Sequence, residues 1–145
     1  MPLNDELSVL PLGRGEVLQE GSDLAIIAVG CTVHPALAAG RKLEAEGFGV
    51  RVINARFIKP LDAELILETA ASTHKLLTVE ENVLDGGFGS AILELLAREG
   101  MTSVTVRRLG IRDEFVEHAT QEELRAKFGI DTAGISEAAR RLMKI

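Results

Sequence analysis

Leu24-Ala-Ile-Ile-Ala-Val29 is an unbroken apolar run, bounded by Gly21-Ser22-Asp23 on one side and Gly30 on the other. A short run without polar alternation, framed by turn residues, suits a strand buried on both faces, as in a parallel sheet covered by helices. On its amino side, Gly15–Glu20 (GEVLQE) reads as a short edge strand. A hairpin-like connection through Gly21-Ser22-Asp23 predicts that strand antiparallel to the rest. Met1–Pro11 has little periodicity and reads as a leader or linker remnant, which leaves residues 12–145 for the domain.

Strands and helices alternate along the rest of the chain. Thr32 is placed to cap a helix with Pro35 in its first turn, running to about Glu46 and stopped by Gly47 and Gly49. Val50–Asn54 alternates with period two, and Asp62 then starts a helix with Leu65, Ile66 and Ala70 on one face. Leu76–Val79 is another apolar strand. Glu80–Gly89 reads as a loop ending in glycines, before a helix with Phe88, Ile92, Leu95 and Leu96 at helical spacing. Ser103–Leu109 is the last strand. Thr120 and Glu123 form a capping box for a helix reaching Phe128, and a final helix from about Asp131 buries Ile135, Ala138, Ala139 and Leu142. The pattern predicts right-handed crossovers and a three-layer α/β/α sandwich, with a five-stranded, mostly parallel sheet and one antiparallel edge strand.

Composition narrows the functions open to such a domain. Of the 145 residues, 46% are hydrophobic and 26% charged, and the aromatics are five Phe with no Trp or Tyr, so stacking platforms for bases or sugars are scarce. Asp and Glu number 22 against 16 Lys and Arg, and no basic stripe faces a phosphate backbone, which argues against nucleic acid. The lone Cys31 closes no intramolecular disulfide, the longest apolar stretch is far short of the roughly 20 residues that span a bilayer, and no signal-peptide pattern opens the chain. These features suit a cytoplasmic protein without membrane contact.

Few residues read as chemistry. Gly86-Gly87-Phe88-Gly89-Ser90 invites a phosphate-binding reading, because glycines before a helix let backbone amides approach an anion. The spacing counts against it: Ile92 stands at the last glycine position of a dinucleotide fingerprint, and no Lys follows the glycines as in a Walker loop. Gly86, Gly87 and Gly89 are therefore expected to serve a structural turn. Glu80 and Glu81 close a strand at the sheet edge where α/β proteins place their functional crevice, and either one faces a partner or one caps a helix while the other is solvated. Cys31 and His34 are two ligand types at a plausible spacing, but two ligands make no metal site, and Cys31 is expected to be a buried, inert thiol.

Taken together, several segments resemble a known family. Val52-Ile-Asn-Ala-Arg56-Phe-Ile-Lys59-Pro60-Leu61-Asp62 and Leu77-Thr-Val-Glu80-Glu81-Asn82, with the Gly86–Ser90 cluster, resemble the C-terminal domain of transketolase-like thiamine diphosphate enzymes. Leu12-Gly-Arg-Gly15, Leu109-Gly110-Ile111-Arg112-Asp113-Glu-Phe115-Val-Glu-His118 and Gly129-Ile-Asp131-Thr-Ala-Gly134-Ile135 resemble its 1-deoxy-D-xylulose-5-phosphate synthase branch. Arg112 stands where that pattern usually has Pro, and Ala119 where Gly usually follows His118.

The resemblance implies a domain that does not catalyse alone. It implies no cofactor in this chain, with thiamine diphosphate and Mg2+ held by the other domains of a homodimeric enzyme that joins pyruvate to D-glyceraldehyde 3-phosphate with loss of CO2. The route leads to isoprenoids and thiamine. The third domain is expected to pack against the pyrimidine-binding domain and the dimer mate through the carboxyl ends of its strands. Thr32, His34, Arg56, Lys59, Glu81, Asn82, Arg112 and Asp113 are the candidate contact residues. An equivalent domain of transketolase or of a 2-oxo acid dehydrogenase β-subunit, and a stand-alone small-molecule-binding module, are the alternatives.

Overall fold

The computed structural model describes residues 9–144. The apolar run forms β2 (Leu24–Ala28), every residue of which is buried, at the centre of a sheet in the order β1-β3-β2-β4-β5. Its neighbours are β3 (Val50–Asn54) and β4 (Lys75–Val83), both parallel to it, and β5 (Thr105–Ile111) runs parallel to β4. The edge strand β1 (Glu16–Gln19) is antiparallel, as expected, but its partner is β3 and not β2.

The expected hairpin is thus corrected. Both edges of β2 are taken by parallel neighbours, so the chain leaving β1 must step across the start of β3 before it can enter β2. Gly21 makes that crossing, and a Cβ there would collide with the Gly49–Val50 backbone. Asp23 pins it, donating its N–H to the Gly49 carbonyl at 2.8 Å and accepting the Gly49 N–H on its carboxylate at 2.7 Å.

Helices cover both faces, completing the three layers. Because side chains alternate along a strand, Leu24, Ile26 and Ala28 face one core with α1 (Val33–Ala45) and α5 (Thr132–Met143), where Leu43, Ile135 and Leu142 are buried. Ala25 and Ile27 face a second core with α2 (Ala63–Thr73) and α3 (Phe88–Arg98), where Ile66, Phe88 and Ile92 are buried. A further helix, α4 (Gln121–Phe128), has no fully buried residue and leans on β5 and α5.

Local signals fix most helix starts. Asp62 accepts the Leu65 N–H, Asp131 accepts the Gly134 N–H, and the Thr120–Glu123 capping box forms as its sequence predicts. Thr32 is the exception. A 3-10 turn over Gly30–Thr32 precedes α1, and the buried Thr32 hydroxyl donates to the carbonyls of Val29 and Val79, tying the end of β2 to β4 instead of capping α1. The stretch read as a loop after Val79 also differs, since β4 continues to Val83, which pairs with Ile111.

Ile27 sits on the central strand with no exposure. Ile27→Ala is expected to cost about 2–5 kcal/mol of unfolding free energy, through lost burial and an unfilled cavity. Urea unfolding checks this, and a loss below about 1 kcal/mol would place the residue outside the core.

Candidate functional site

The carboxyl ends of the parallel strands form one edge of the sheet, and β4 organises it. Alternation sends its two adjacent carboxylates to opposite faces: Leu76 belongs to the core under α2 and α3, and Leu77 and Val79 to the core under α1 and α5. Glu80, two residues beyond Thr78, therefore points toward α3. It is 1% exposed, and its carboxylate accepts the Phe88 N–H at 2.7 Å and the Gly89 N–H at 2.8 Å.

Those amides open α3, where unpaired N–H groups and the helix dipole favour a negative charge. Glu80 supplies that charge from within the protein. Gly87 lies so close to the carboxylate that a Cβ would collide with Glu80 and with the Val83 carbonyl. Arg108, from β5, braces the turn by donating to the Leu84 carbonyl at 2.8 Å and the Ser90 hydroxyl at 2.9 Å. Gly87 thus packs against the buried Glu80 carboxylate and Gly89 against Thr78 and Arg108, while Gly86 is exposed at a positive φ of 75°.

Glu81 takes the other face. Its carboxylate accepts from the Arg125 guanidinium and, at 3.4 Å, from the Gln121 amide, both on α4. The Arg125 hydrogen bond holds the Glu81 carboxyl below the usual carboxylate range, against the opposing effect of its partial burial. Cys31 is exposed at this edge, contrary to the buried thiol expected from the sequence: the 3-10 turn sends Thr32 inward and Cys31 out.

The eight candidate contact residues divide accordingly. Thr32 is buried and committed to carbonyls, Arg56 turns back to pair with Glu16 of β1 at 2.7 Å, and Glu81 is held by α4. His34, Lys59, Asn82, Arg112 and Asp113 remain exposed. Sequence reasoning missed Arg125, although its spacing of four from Gln121 places both on one helix face. It also passed over Phe115, whose relative exposure is 104%.

Several clefts open at or beside this edge, among them three that involve its residues. One of about 450 Å3 lies between Lys59, the Gly86-Gly87 turn and Arg98, and one of about 570 Å3 lies between His34, Arg56 and Leu10. The third, about 340 Å3, runs under α4 between Glu81, Ile111, Val116 and Phe128. The residues present do not fit a thiamine diphosphate site. The amides that would take a diphosphate are held by Glu80, and among the described residues no three His, Cys, Asp or Glu side chains converge to hold a metal ion. No described helix is long and apolar enough to cross a membrane.

Residues 13–135 match the family model for the transketolase C-terminal domain. The chain belongs to that family. It is 57% identical over 143 residues to 1-deoxy-D-xylulose-5-phosphate synthase 1 of Geobacter sulfurreducens, a match spanning 99% of this chain and 22% of that protein. It is 58% identical over 136 residues to the 1-deoxy-D-xylulose-5-phosphate synthase of Syntrophus aciditrophicus, a match spanning 94% of this chain and 21% of that protein. The transketolase C-terminal domain thus occupies about a fifth of the length of these relatives. Among solved structures, a split-gene transketolase described as an inactive β4 tetramer superposes with a TM-score of 0.85 at 37% identity, over 93% of this chain and 44% of that one.

Two expected outcomes test the edge. Glu80→Ala leaves two helix-end amides unpaired in a buried site and is expected to cost about 2–4 kcal/mol, with Glu80→Gln costing less, as measured by chemical denaturation. Because the Glu81 carboxyl is depressed below its ordinary value of 4.5, its contribution is present in full above that value and lost as the pH falls through the lower folded value. Arg125→Ala should therefore be roughly 1 kcal/mol less stable than the parent at neutral pH, with the gap closing in acid. A gap that stays constant down to about pH 3 would show that the ion pair contributes nothing.

Proposed function

We propose that this chain is the C-terminal assembly domain of a 1-deoxy-D-xylulose-5-phosphate synthase, and that the strand-end edge docks onto the remainder of the enzyme. The domain does not catalyse alone. In this reading thiamine diphosphate and Mg2+ belong to the rest of a homodimeric cytoplasmic synthase, where pyruvate is decarboxylated and its two-carbon unit joins D-glyceraldehyde 3-phosphate. The cofactor supplies that carbanion chemistry, and this chain supplies a rigid contact surface.

One observation supports the proposal: the side chains left free at this edge are exposed apolar and charged groups. The anion cradle at α3 is filled by Glu80, while Ile58, Phe115 and Val116 are exposed large apolar residues on strand-end loops of the same edge. The antiparallel direction of β1 brings its entry segment to that edge as well, where Val9, Leu10 and Leu12 are exposed. Exposed large apolar residues on the loops of one edge suit contact with another surface. Identity above 50% to synthases over nearly the whole chain favours the synthase over a transketolase or a 2-oxo acid dehydrogenase β-subunit as the parent. The inactivity of the β4 transketolase tetramer fits a fold that does not act by itself.

The test reverses two free charges of the edge in the full-length synthase. Lys59→Glu with Asp113→Lys should leave the melting temperature of the isolated chain within about 2 °C of the parent, since both side chains are exposed. In the full-length enzyme the same pair should lower activity and weaken the dimer measured by sedimentation. Unchanged activity and association would refute docking through this edge.

A further inference from the structure

We infer that Phe115 is the anchor of that docking surface, and that it inserts into an apolar socket rimmed by Lys or Arg on the polypeptide preceding this domain in the synthase. The inference rests on the assembly reading and names its central contact. Phe115 is fully exposed, whereas Phe88 is fully buried, Phe57 and Phe128 are partly covered and Phe48 is 37% exposed, so the Phe115 ring contributes nothing to this domain's own core. Burying an aromatic ring is among the largest single contributions an interface can gain, and aromatic anchors dominate interface energetics.

The surroundings specify the partner's chemistry. Arg112–Thr120 is exposed throughout, and within it the carboxylates of Asp113, Glu114 and Glu117 outnumber Arg112, while Lys127 lines a cleft with Arg112 and Glu114. A complementary socket is therefore apolar at its floor and basic at its rim. Val116, next in sequence, lines the cleft under α4 with Ile111, Leu124 and Phe128, so Phe115 follows directly on a cleft with apolar walls. The occupant is assigned to the preceding polypeptide because the chain enters β1 along this same edge and the synthases extend well beyond the matched fifth of their length. A freely exposed phenylalanine on a loop fed by that edge is placed to meet it.

Hydrogen exchange in the full-length synthase and in this chain alone provides the test. Backbone amides of residues 112–120 should exchange at least tenfold more slowly in the full-length enzyme than in the isolated chain. Phe115→Ser should abolish that slowing and lower activity, while leaving the melting temperature of the isolated chain unchanged. Phe115→Leu should restore most of the slowing. Glu114→Lys with Glu117→Lys should weaken it by charge repulsion from the basic rim.

Equal exchange rates in the two settings, or slowing that survives Phe115→Ser, would overturn the proposal. Concentration-dependent slowing in the isolated chain would assign the socket to a second copy and overturn it equally. If Lys59→Glu with Asp113→Lys disrupts the enzyme and Phe115→Ser does not, the edge docks but this residue is not its anchor. If neither disrupts it, the assembly reading itself falls.

Discussion

The Glu80 carboxylate, sealed between the end of β4 and the first turn of α3, is the contact on which the carboxyl edge of the sheet depends. Two charge-assisted hydrogen bonds join a strand to a helix across a sharp turn, in a setting where an unpaired carboxylate would be costly. Everything around it is fitted to its presence. Gly87 leaves room for it, Arg108 braces the turn from β5, and Gly110 lies against its stem. A glycine-rich strand-to-helix turn that elsewhere cradles a phosphate is here saturated by an internal anion, which makes the edge rigid and removes its main ligand-binding feature.

Period-two alternation on β4 extends that effect to the opposite face. The next residue, Glu81, must point away from Glu80, and there it engages Arg125 and Gln121 of α4. Since α4 buries no residue fully, the pair is a principal attachment of that helix and of the exposed loop leading into it. Two consecutive carboxylates thus anchor two helices in different layers, and neither is available as one half of an acid-base pair.

How much of this is legible in the sequence depends on whether the governing interaction is local. The β2 run, the Asp62, Thr120 and Asp131 caps and the apolar face of α5 are local patterns, and the structure follows them. The neighbour of β1 was not legible, because strand order is decided by where crossovers land; the turn residues at Gly21-Ser22-Asp23 are the same for a hairpin and for a step over β3. Thr32 looked like a cap because its spacing to α1 is right, yet a carbonyl on β4, 47 residues away, claims its hydroxyl. For Glu80 and Glu81, alternation alone separates the faces. Which helix waits on each face is a matter of topology, so Arg125 stayed invisible. Phe115 carried no periodic signal, since it sits in a polar loop where burial cannot be read from spacing.

The sheet order adds a last step. The helix after β2 covers one face and the helix after β4 covers the other, so the switch point of this sheet falls between β2 and β4, where open α/β folds usually hold ligands. In this chain the Thr32 hydroxyl bridges to the Val79 carbonyl and α4 bears on Glu81, so the two sides of that crevice are tied together by the domain's own side chains. Occupying the helix-end cradle and tying together the ends of β2 and β4 with the domain's own side chains fixes the strand ends in one arrangement. A surface held that way loses little conformational entropy on association, so the free apolar and charged groups on its loops are suited to contact another protein surface.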